Sequence, residues 1–199
     1  MGKKLEGKTI AILATDGFEQ SELIEPRKAL LAEGANVEIV SLKSGAIRGW
    51  KDADWGDSVT VERTVGEARP DHYDGLVLPG GVKNPDTLRG DAKAVAFVEG
   101  FVDARKPIAA ICHGPQTLIE TGMVKGRRMT SYPSLATDLR NAGATWVDEE
   151  VVVDDGLVTS RRPDDIPAFN AKMIEEMAEG AHARSARKNG ASDVQTSLR

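Results

Sequence analysis

Short, almost wholly apolar runs alternate along the chain with longer segments in which apolar residues recur at helical spacing. A short apolar run bounded by turn residues is typical of a strand that is buried on both faces of a parallel sheet. The pattern predicts strands at residues 9–14, 37–40, 76–78 and 107–111, and helices at residues 22–33, 91–104, 135–142 and 166–179. This alternation predicts an α/β fold with a mostly parallel sheet that carries helices on both faces.

Two segments depart from this alternation. Residues 45–65 are rich in Gly, Asp and Trp and then alternate apolar and polar positions, which predicts a loop or hairpin outside the main sheet. Trp50 and Trp55 in this segment either line the mouth of a pocket or pack the flap onto the body of the protein. Farther along, an Asp-Gly step at residues 155–156 lies between two β-branched runs, which predicts a hairpin.

The composition indicates one globular domain. With 199 residues, of which 40% are hydrophobic and 29% charged, the chain is long enough for one substantial core, which we assign to residues 1–180. Residues 181–199 are polar and lack apolar periodicity, which predicts a disordered tail. The net charge of −5 gives no bias toward nucleic acid or anionic membranes, and no apolar run is long enough to span a bilayer. The N-terminus lacks a signal-peptide pattern, so a cytoplasmic location is expected.

The one cysteine, Cys112, directly follows the fourth predicted strand. Gly114 and Pro115 come next and a short helical pattern begins there, so the chain must turn sharply from strand to helix. This is the arrangement of a nucleophile elbow, which lifts a nucleophile to the carboxyl edge of a sheet. A helix N-terminus favours the thiolate, which is the reactive form of cysteine, and predicts a lowered thiol pKa. The alternative is that the cysteine is a small buried hydrophobic residue.

Other candidate residues follow strand ends that meet at the same edge of such a sheet. Glu19 is a candidate proton donor or acceptor for the cysteine, and the simpler interpretation is a first-turn glutamate favoured by the helix dipole. The backbone N–H groups of Gly81 and His113 are candidates for an oxyanion hole, and the His113 side chain for a general base. The sequence has no phosphate-binding loop, GxGxxG or HExxH pattern, so neither a cofactor nor a metal is predicted.

These residues stand in segments that resemble one known family. Residues 110–115 (Ala-Ile-Cys-His-Gly-Pro), with residues 78–81 (Leu-Pro-Gly-Gly) and residues 17–23 (Gly-Phe-Glu-Gln-Ser-Glu-Leu), are similar to the PfpI family of intracellular cysteine hydrolases and general stress proteins. That family lies within the class I glutamine amidotransferase-like superfamily. The resemblance covers residues 8–179 and implies a flavodoxin-like three-layer sandwich that assembles as a homo-oligomer, either a dimer or a hexamer.

The resemblance also implies roles for individual residues. Cys112 corresponds to the family's nucleophile, Glu19 to the carboxyl group that is hydrogen-bonded to the sulfur, and His113 to its histidine. The N–H groups of Gly81 and His113 correspond to its oxyanion hole. In protease-like members a glutamate of a neighbouring subunit orients the histidine. The matching position here is Asp86, whose side chain is one methylene shorter and whose preceding loop is one residue longer.

The activities that the resemblance implies are not separated by the sequence. They are glyoxalase III-like hydration of glyoxal or methylglyoxal, deglycase release of early glycation adducts from proteins, and peptide hydrolysis. All of them can begin with attack of Cys112 on a carbonyl carbon. We favour reactive carbonyls as substrates, either small carbonyl compounds or glycated proteins, over peptides. A small, water-poor pocket suits a short dicarbonyl better than a folded peptide chain.

Two further functions fall outside this group. A non-catalytic redox sensor through oxidation of Cys112 stays open, because an accessible thiolate oxidises readily. The glutaminase half of an amidotransferase is nearly excluded. It needs a His-x-Glu sequence well downstream of the cysteine, and only His182 lies there, followed by Ala-Arg.

Overall fold

The computed structural model describes residues 2–181, and its elements follow the order that the apolar pattern predicts. The strands are β1 (Thr9–Leu13), β2 (Phe18–Glu19), β3 (Asn36–Ser41), β4 (Gly45–Lys51), β5 (Asp54–Val61), β6 (Arg63–Thr64), β7 (Gly75–Leu78), β8 (Ile108–Ile111), β9 (Arg128–Met129), β10 (Thr145–Trp146), β11 (Val151–Asp154) and β12 (Leu157–Ser160). The α-helices are α1 (Gln20–Ala32), α2 (Lys83–Arg89), α3 (Ala92–Asp103), α4 (Pro115–Glu120), α5 (Ala136–Asn141) and α6 (Ile166–Glu179).

Seven of these strands form the main sheet, in the order β11-β12-β8-β7-β1-β3-β6. Every neighbouring pair is parallel except β11 and β12, which form the predicted hairpin. Asp155 and Gly156 make its turn with positive φ angles of 48° and 79°, as the tight turns favoured in hairpins require. Because β1, β7 and β8 lie side by side, the loops after their carboxyl ends meet at one place on the sheet edge.

Both faces of the sheet are covered, as the sequence predicts. Successive residues of β1 face opposite layers, so Ile10 and Ile12 belong to one core cluster and Ala11 and Leu13 to the other. Helices α1 and α6 pack into the first cluster, and α3, α4 and α5 into the second. The predicted flavodoxin-like three-layer sandwich is therefore confirmed.

The segment at residues 45–65 was predicted to lie outside the main sheet, and most of it does. Strands β4 and β5 form an antiparallel hairpin, and β2 pairs with β4 to complete a separate three-stranded sheet. The prediction is wrong for β6, which pairs in parallel with β3 at the edge of the main sheet. A strand this short carries too few apolar positions to be distinguished from a loop in the sequence.

Helix α2 was not predicted, since the sequence analysis assigned no element between Gly81 and Asp91. Proline is tolerated in a first helical turn, where its missing N–H has no intrahelical partner to lose. Pro85 is the third residue of α2 and is buried. The short helix that follows Gly80-Gly81 therefore carries Asn84 and Asp86 on a regular element.

Two predictions about the ends and surface of the chain are only partly covered by the structure. The predicted tail at residues 181–199 lies outside the described residues, apart from Ala181. Among the described residues, no helix is both long enough and apolar enough to cross a membrane.

Candidate active site

Cys112 occupies a sharp bend between β8 and α4. Its φ angle of 60° lies in the left-handed region, which a residue with a side chain adopts only when its surroundings hold it there. Its backbone N–H donates to the Ser160 carbonyl at 3.0 Å, and its own carbonyl accepts from the Tyr132 N–H at 2.8 Å. Both backbone polar groups are thus tied to neighbouring segments. The predicted nucleophile elbow is confirmed in its backbone form, and Cys112 is only 6% exposed.

The carboxyl group beside the sulfur belongs to Glu22 and not to Glu19. Glu22 is fully buried, accepts from the Gly80 N–H at 2.9 Å, and lies within hydrogen-bonding reach of the Cys112 thiol. Glu19 instead caps helix α1, since its carboxylate accepts from the Glu22 N–H at 2.9 Å and from the Ser21 hydroxyl at 2.5 Å. The prediction that Glu19 faces the sulfur is therefore wrong. The simpler interpretation, an exposed first-turn glutamate, is right about the helix N-terminus, but Glu19 is the N-cap residue and is half-buried.

A signal for Glu22 was present in the sequence. Glu22, Pro26 and Leu30 are spaced four residues apart, so they share one helix face, and all three are buried. A glutamate on the apolar face of a helix next to a predicted site is a candidate functional acid, because an unpaired buried carboxylate is costly.

Burial shifts both acids of this pair toward their neutral forms. It raises the pKa of Glu22 to about 8, and the nearby charge of Glu19 adds to the increase. Burial raises the pKa of the Cys112 thiol well above its usual range, and the charge of an ionised Glu22 adds to the increase. The backbone N–H groups of Gly81 and His113 lower this pKa, but their effect is smaller. The predicted lowering of the thiol pKa is thus wrong for the resting site. Helix α4 has only six residues, and its N-terminus does not outweigh the loss of solvent.

Two glycines let the backbone approach the sulfur. A Cβ on Gly80 would lie 2.6 Å from the Cys112 Cβ and 2.8 Å from the His113 nitrogen. Gly81 has a φ of 80°, and a Cβ there would lie 2.4 Å from the Gly17 carbonyl oxygen. The close approach brings the Gly81 N–H to the sulfur, where it acts together with the His113 N–H. The predicted pair of N–H donors therefore meets at Cys112, and its use as an oxyanion hole stays a prediction.

The imidazole of His113 lies against the sulfur. Its Nδ1 is 3.2 Å from the Cys112 Sγ, and its Nε2 is 3.2 Å from the Ser134 Oγ. The ring stacks on Tyr132 with centroids 4.8 Å apart and planes 23° apart. Burial lowers the pKa of His113, so the ring is neutral near pH 7 and can accept a proton.

Asp86 is exposed on α2, and the hydrogen bonds described for the His113 ring go to Cys112 and Ser134 instead. Within this protomer the structure does not bring Asp86 to the histidine. Ser134 was missed by the sequence reasoning, because a serine after a Tyr-Pro step carries no spacing signal that relates it to His113.

Asn84 is a second residue that the sequence reasoning missed. It is fully buried, its Oδ1 accepts from the Thr15 N–H at 2.7 Å, and its Nδ2 donates to the carbonyls of Pro79 and Gly80 at 3.0 and 3.1 Å. One side chain thus ties the loop after β1 to the loop after β7. The first loop leads into the helix that carries Glu22 and the second carries Gly81, so Asn84 supports their relative position.

Trp50 and Trp55 stand near the tip of the β4–β5 hairpin, 39% and 38% exposed, with ring centroids 5.5 Å apart. The Lys83 ammonium group lies 5.3 Å from the centroid of the Trp55 ring. The hairpin is anchored to the loop after β1 by a 2.8 Å hydrogen bond from the Gly17 N–H to the Arg48 carbonyl. The tryptophans are thus neighbours of the loops that form the site, and a role at a pocket mouth stays a prediction.

No group of three or more His, Cys, Asp or Glu side chains within residues 2–181 is arranged to hold a metal ion. His182 lies outside these residues.

Comparison with known proteins supports the resemblance that the motifs suggested. A model of the DJ-1/PfpI family matches residues 8–176. "Protein/nucleic acid deglycase 2" of Escherichia coli is 44% identical over 169 residues, which cover 84% of this chain and 96% of the relative. YraA of Bacillus subtilis, named as a candidate cysteine protease, is 42% identical over 84% of this chain and 96% of its own. "General stress protein 18" of the same organism is 43% identical with the same coverage.

Solved structures agree at the level of the fold. DJ-1beta of Drosophila melanogaster superposes with a TM-score of 0.78 at 28% identity, covering 86% of this chain and 90% of that chain.

Proposed function

The chain belongs to the DJ-1/PfpI family, and on that premise we propose that it is a Cys112-dependent enzyme that acts on small reactive carbonyl compounds or on the adducts they form with proteins. One observation carries the proposal. The only sulfur nucleophile of the chain is contacted at once by a carboxyl group, an imidazole nitrogen and two backbone N–H donors. These are the groups that addition of a thiol to a carbonyl requires.

In the resting site both acids are neutral, so the nucleophile must lose its proton as it attacks. The His113 Nδ1, 3.2 Å from the sulfur, is placed to take that proton. The Sγ–H bond breaks, an N–H bond forms on the imidazole, and a C–S bond forms to the carbonyl carbon. The carbonyl oxygen becomes an oxyanion, and we assign its stabilisation to the N–H groups of Gly81 and His113.

With methylglyoxal the product of this addition is a hemithioacetal. Its carbon-bound proton then moves to the neighbouring carbonyl carbon through an enediol, which leaves a thioester. Water hydrolyses the thioester, so that methylglyoxal and one water give lactate and the free thiol returns. The carboxyl of Glu22 and the imidazole of His113 are the two side chains at the sulfur that can carry these protons.

The surroundings of the sulfur favour a small substrate. Cys112 is only 6% exposed and is enclosed by Gly80, Glu22 and His113. A short dicarbonyl reaches such a sulfur more readily than a folded peptide does, and the deglycase name of the E. coli relative agrees with this substrate class. The burial and raised pKa of the thiol disfavour the redox-sensor alternative, which needs an accessible thiolate.

Peptide hydrolysis is the second candidate, because the YraA relative is named for that activity. Attack on an amide carbonyl uses the same nucleophile, base and oxyanion donors, so the two candidates differ only in what the pocket admits.

The test is a comparison of wild-type protein with Cys112→Ala in a buffer free of amines and thiols, since both bind methylglyoxal by themselves. We expect lactate to accumulate with the wild-type protein and not with Cys112→Ala at the same concentration. A fluorogenic peptide is assayed in parallel on both proteins. Lactate formation that persists without the thiol, or peptide cleavage without any lactate, would overturn the proposal.

We also propose that the chain self-associates. Val82, at the start of α2, is 69% exposed, and the exposed Trp50 and Trp55 lie beside the same helix end through the contact of Lys83 with Trp55. Exposed large apolar residues grouped in this way are typical of an interface between subunits.

A further inference from the structure

One turn of the chain contacts the His113 ring on two sides. The turn from Tyr132 to Leu135 follows β9 and contains a short 3-10 helix at Pro133–Leu135. Tyr132 covers a face of the imidazole, and Ser134 meets its Nε2 edge at 3.2 Å. The opposite edge, Nδ1, is 3.2 Å from the Cys112 sulfur. The imidazole therefore bridges the nucleophile and a hydroxyl group.

The turn that carries Ser134 is held in place from within. The Leu135 N–H donates to the Tyr132 carbonyl at 3.0 Å, and the Tyr132 N–H donates to the Cys112 carbonyl at 2.8 Å. Pro133 fixes its own φ angle and so limits the freedom of the backbone between the two contact residues. Ser134 is thus linked to Cys112 through the backbone hydrogen bond of Tyr132 and the turn that follows it.

The tautomer of the ring follows from these contacts. A neutral imidazole has one N–H donor and one bare nitrogen acceptor. Glu22 is protonated near pH 7, so its carboxyl O–H can donate to the sulfur and the single S–H proton of Cys112 is left for a bare Nδ1. The imidazole proton then sits on Nε2 and donates to the Ser134 Oγ. The lowering of the pKa of His113 has burial as its cause, with no contribution from a neighbouring carboxylate.

We propose that Ser134 is a positioning residue that holds His113 in its Nε2–H tautomer, which leaves Nδ1 free to take the Cys112 thiol proton. The assignment rests on the proposed function for its effect on turnover, and on the geometry of the free protein for the tautomer itself. A serine hydroxyl of the same protomer thus does for this histidine what a carboxylate does in a Ser-His-Asp triad. Unlike a carboxylate, it leaves the ring neutral.

The experiment compares Ser134→Ala with Ser134→Thr, which keeps the hydroxyl, and with Ser44→Ala as a matched exposed serine away from the site. The imidazole ¹⁵N shifts of each free protein report which ring nitrogen carries the proton, and Cys112 alkylation is measured against pH. Resonances of His113 are identified by their loss in His113→Gln. Turnover of methylglyoxal is measured on the same samples.

We expect the wild-type protein, Ser134→Thr and Ser44→Ala to show the Nε2–H tautomer, and Ser134→Ala to show a mixture of tautomers. In Ser134→Ala the alkylation profile moves to higher pH and kcat falls about tenfold, while KM changes by less than about threefold. Unchanged ¹⁵N shifts and an unchanged alkylation profile in Ser134→Ala would overturn the assignment. The ¹⁵N and alkylation results need no turnover, so they decide it even if methylglyoxal is not a substrate.

Discussion

At the scale of single residues, Glu19 and Glu22 are three positions apart, and only Glu22 contacts the Cys112 sulfur. Glu19 stands at the N-cap of α1, and its carboxylate turns back to the helix backbone. Glu22, one turn later, points into the protein and meets Gly80 and Cys112. The motif contains both residues, and their difference arises from where the helix begins. Sequence reasoning places helix ends only to within a few residues, which is enough to exchange the two roles.

The buried Glu22 predicts a pH-dependent stability. Its pKa is about 8 in the folded protein and near 4.5 in the unfolded chain, so the folded state binds more protons between these values. The contribution of Glu22 to the free energy of unfolding is therefore largest below pH 4.5 and falls as the pH rises toward 8. We expect the Glu22→Gln variant to lack this decrease with pH. Near pH 8 the variant should be more stable than the wild type by up to a few kcal/mol.

Urea unfolding at a series of pH values measures this difference. Glutamine keeps the acceptor for the Gly80 N–H, so the comparison isolates the ionisation of the acid. Cys112→Ala is the control, because it keeps Glu22 buried and should keep the slope. Parallel pH profiles for the wild type and Glu22→Gln would show that Glu22 is already ionised at neutral pH.

At the scale of elements, the strands and long helices were predictable and the short pieces between them were not. Buried parallel strands must be apolar on both faces, so β1, β3, β7 and β8 are visible in the sequence. Helix α2 has only seven residues and a proline in its first turn, and it was not predicted. It holds Asn84, whose three hydrogen bonds join two loops that are far apart in the sequence. Contacts of this kind have no local pattern, so the sequence could not show them.

The Asn84 contacts predict a large loss of stability on truncation. In Asn84→Ala the Thr15 N–H and the carbonyls of Pro79 and Gly80 lose a buried partner, and we expect a loss of about 2 to 4 kcal/mol. Because the loop that leads into the helix of Glu22 is then no longer tied to the loop of Gly81, kcat should also fall. Thr87→Ala on the exposed side of α2 is the control, and we expect it to change stability by less than about 1 kcal/mol. Chemical denaturation measures the loss of unfolding free energy in each variant. Equal losses in Asn84→Ala and Thr87→Ala would show that Asn84 does not support the two loops.

At the scale of the whole molecule, the pattern predicted the sandwich and the edge at which the site lies, but not the contacts within the site. The apolar alternation sets which strands are buried, and parallel strands bring their carboxyl ends to one edge. Which loop residues then touch depends on packing between segments. Ser134 and His113 are 21 residues apart in the chain, and only the fold brings them together. A cytoplasmic location also stays a prediction.

The last prediction concerns the subunit arrangement. Asp86 is exposed and has no described contact with His113 in its own protomer, so a role for its carboxylate at the histidine requires a neighbouring copy of the chain. Within each protomer Ser134 already contacts the Nε2 edge of the ring. If Ser134 orients the histidine within each protomer, Asp86→Ala should keep kcat within about threefold of the wild type, and activity per protomer should not fall as an oligomer is diluted to its dissociation range. Sedimentation velocity and turnover measured over the same concentrations test both statements, with Thr87→Ala as the neighbouring control on α2. A decrease in kcat of more than about tenfold in Asp86→Ala, together with activity that disappears on dissociation, would contradict this prediction. It would show that the Asp86 carboxylate orients His113 across an interface in place of Ser134.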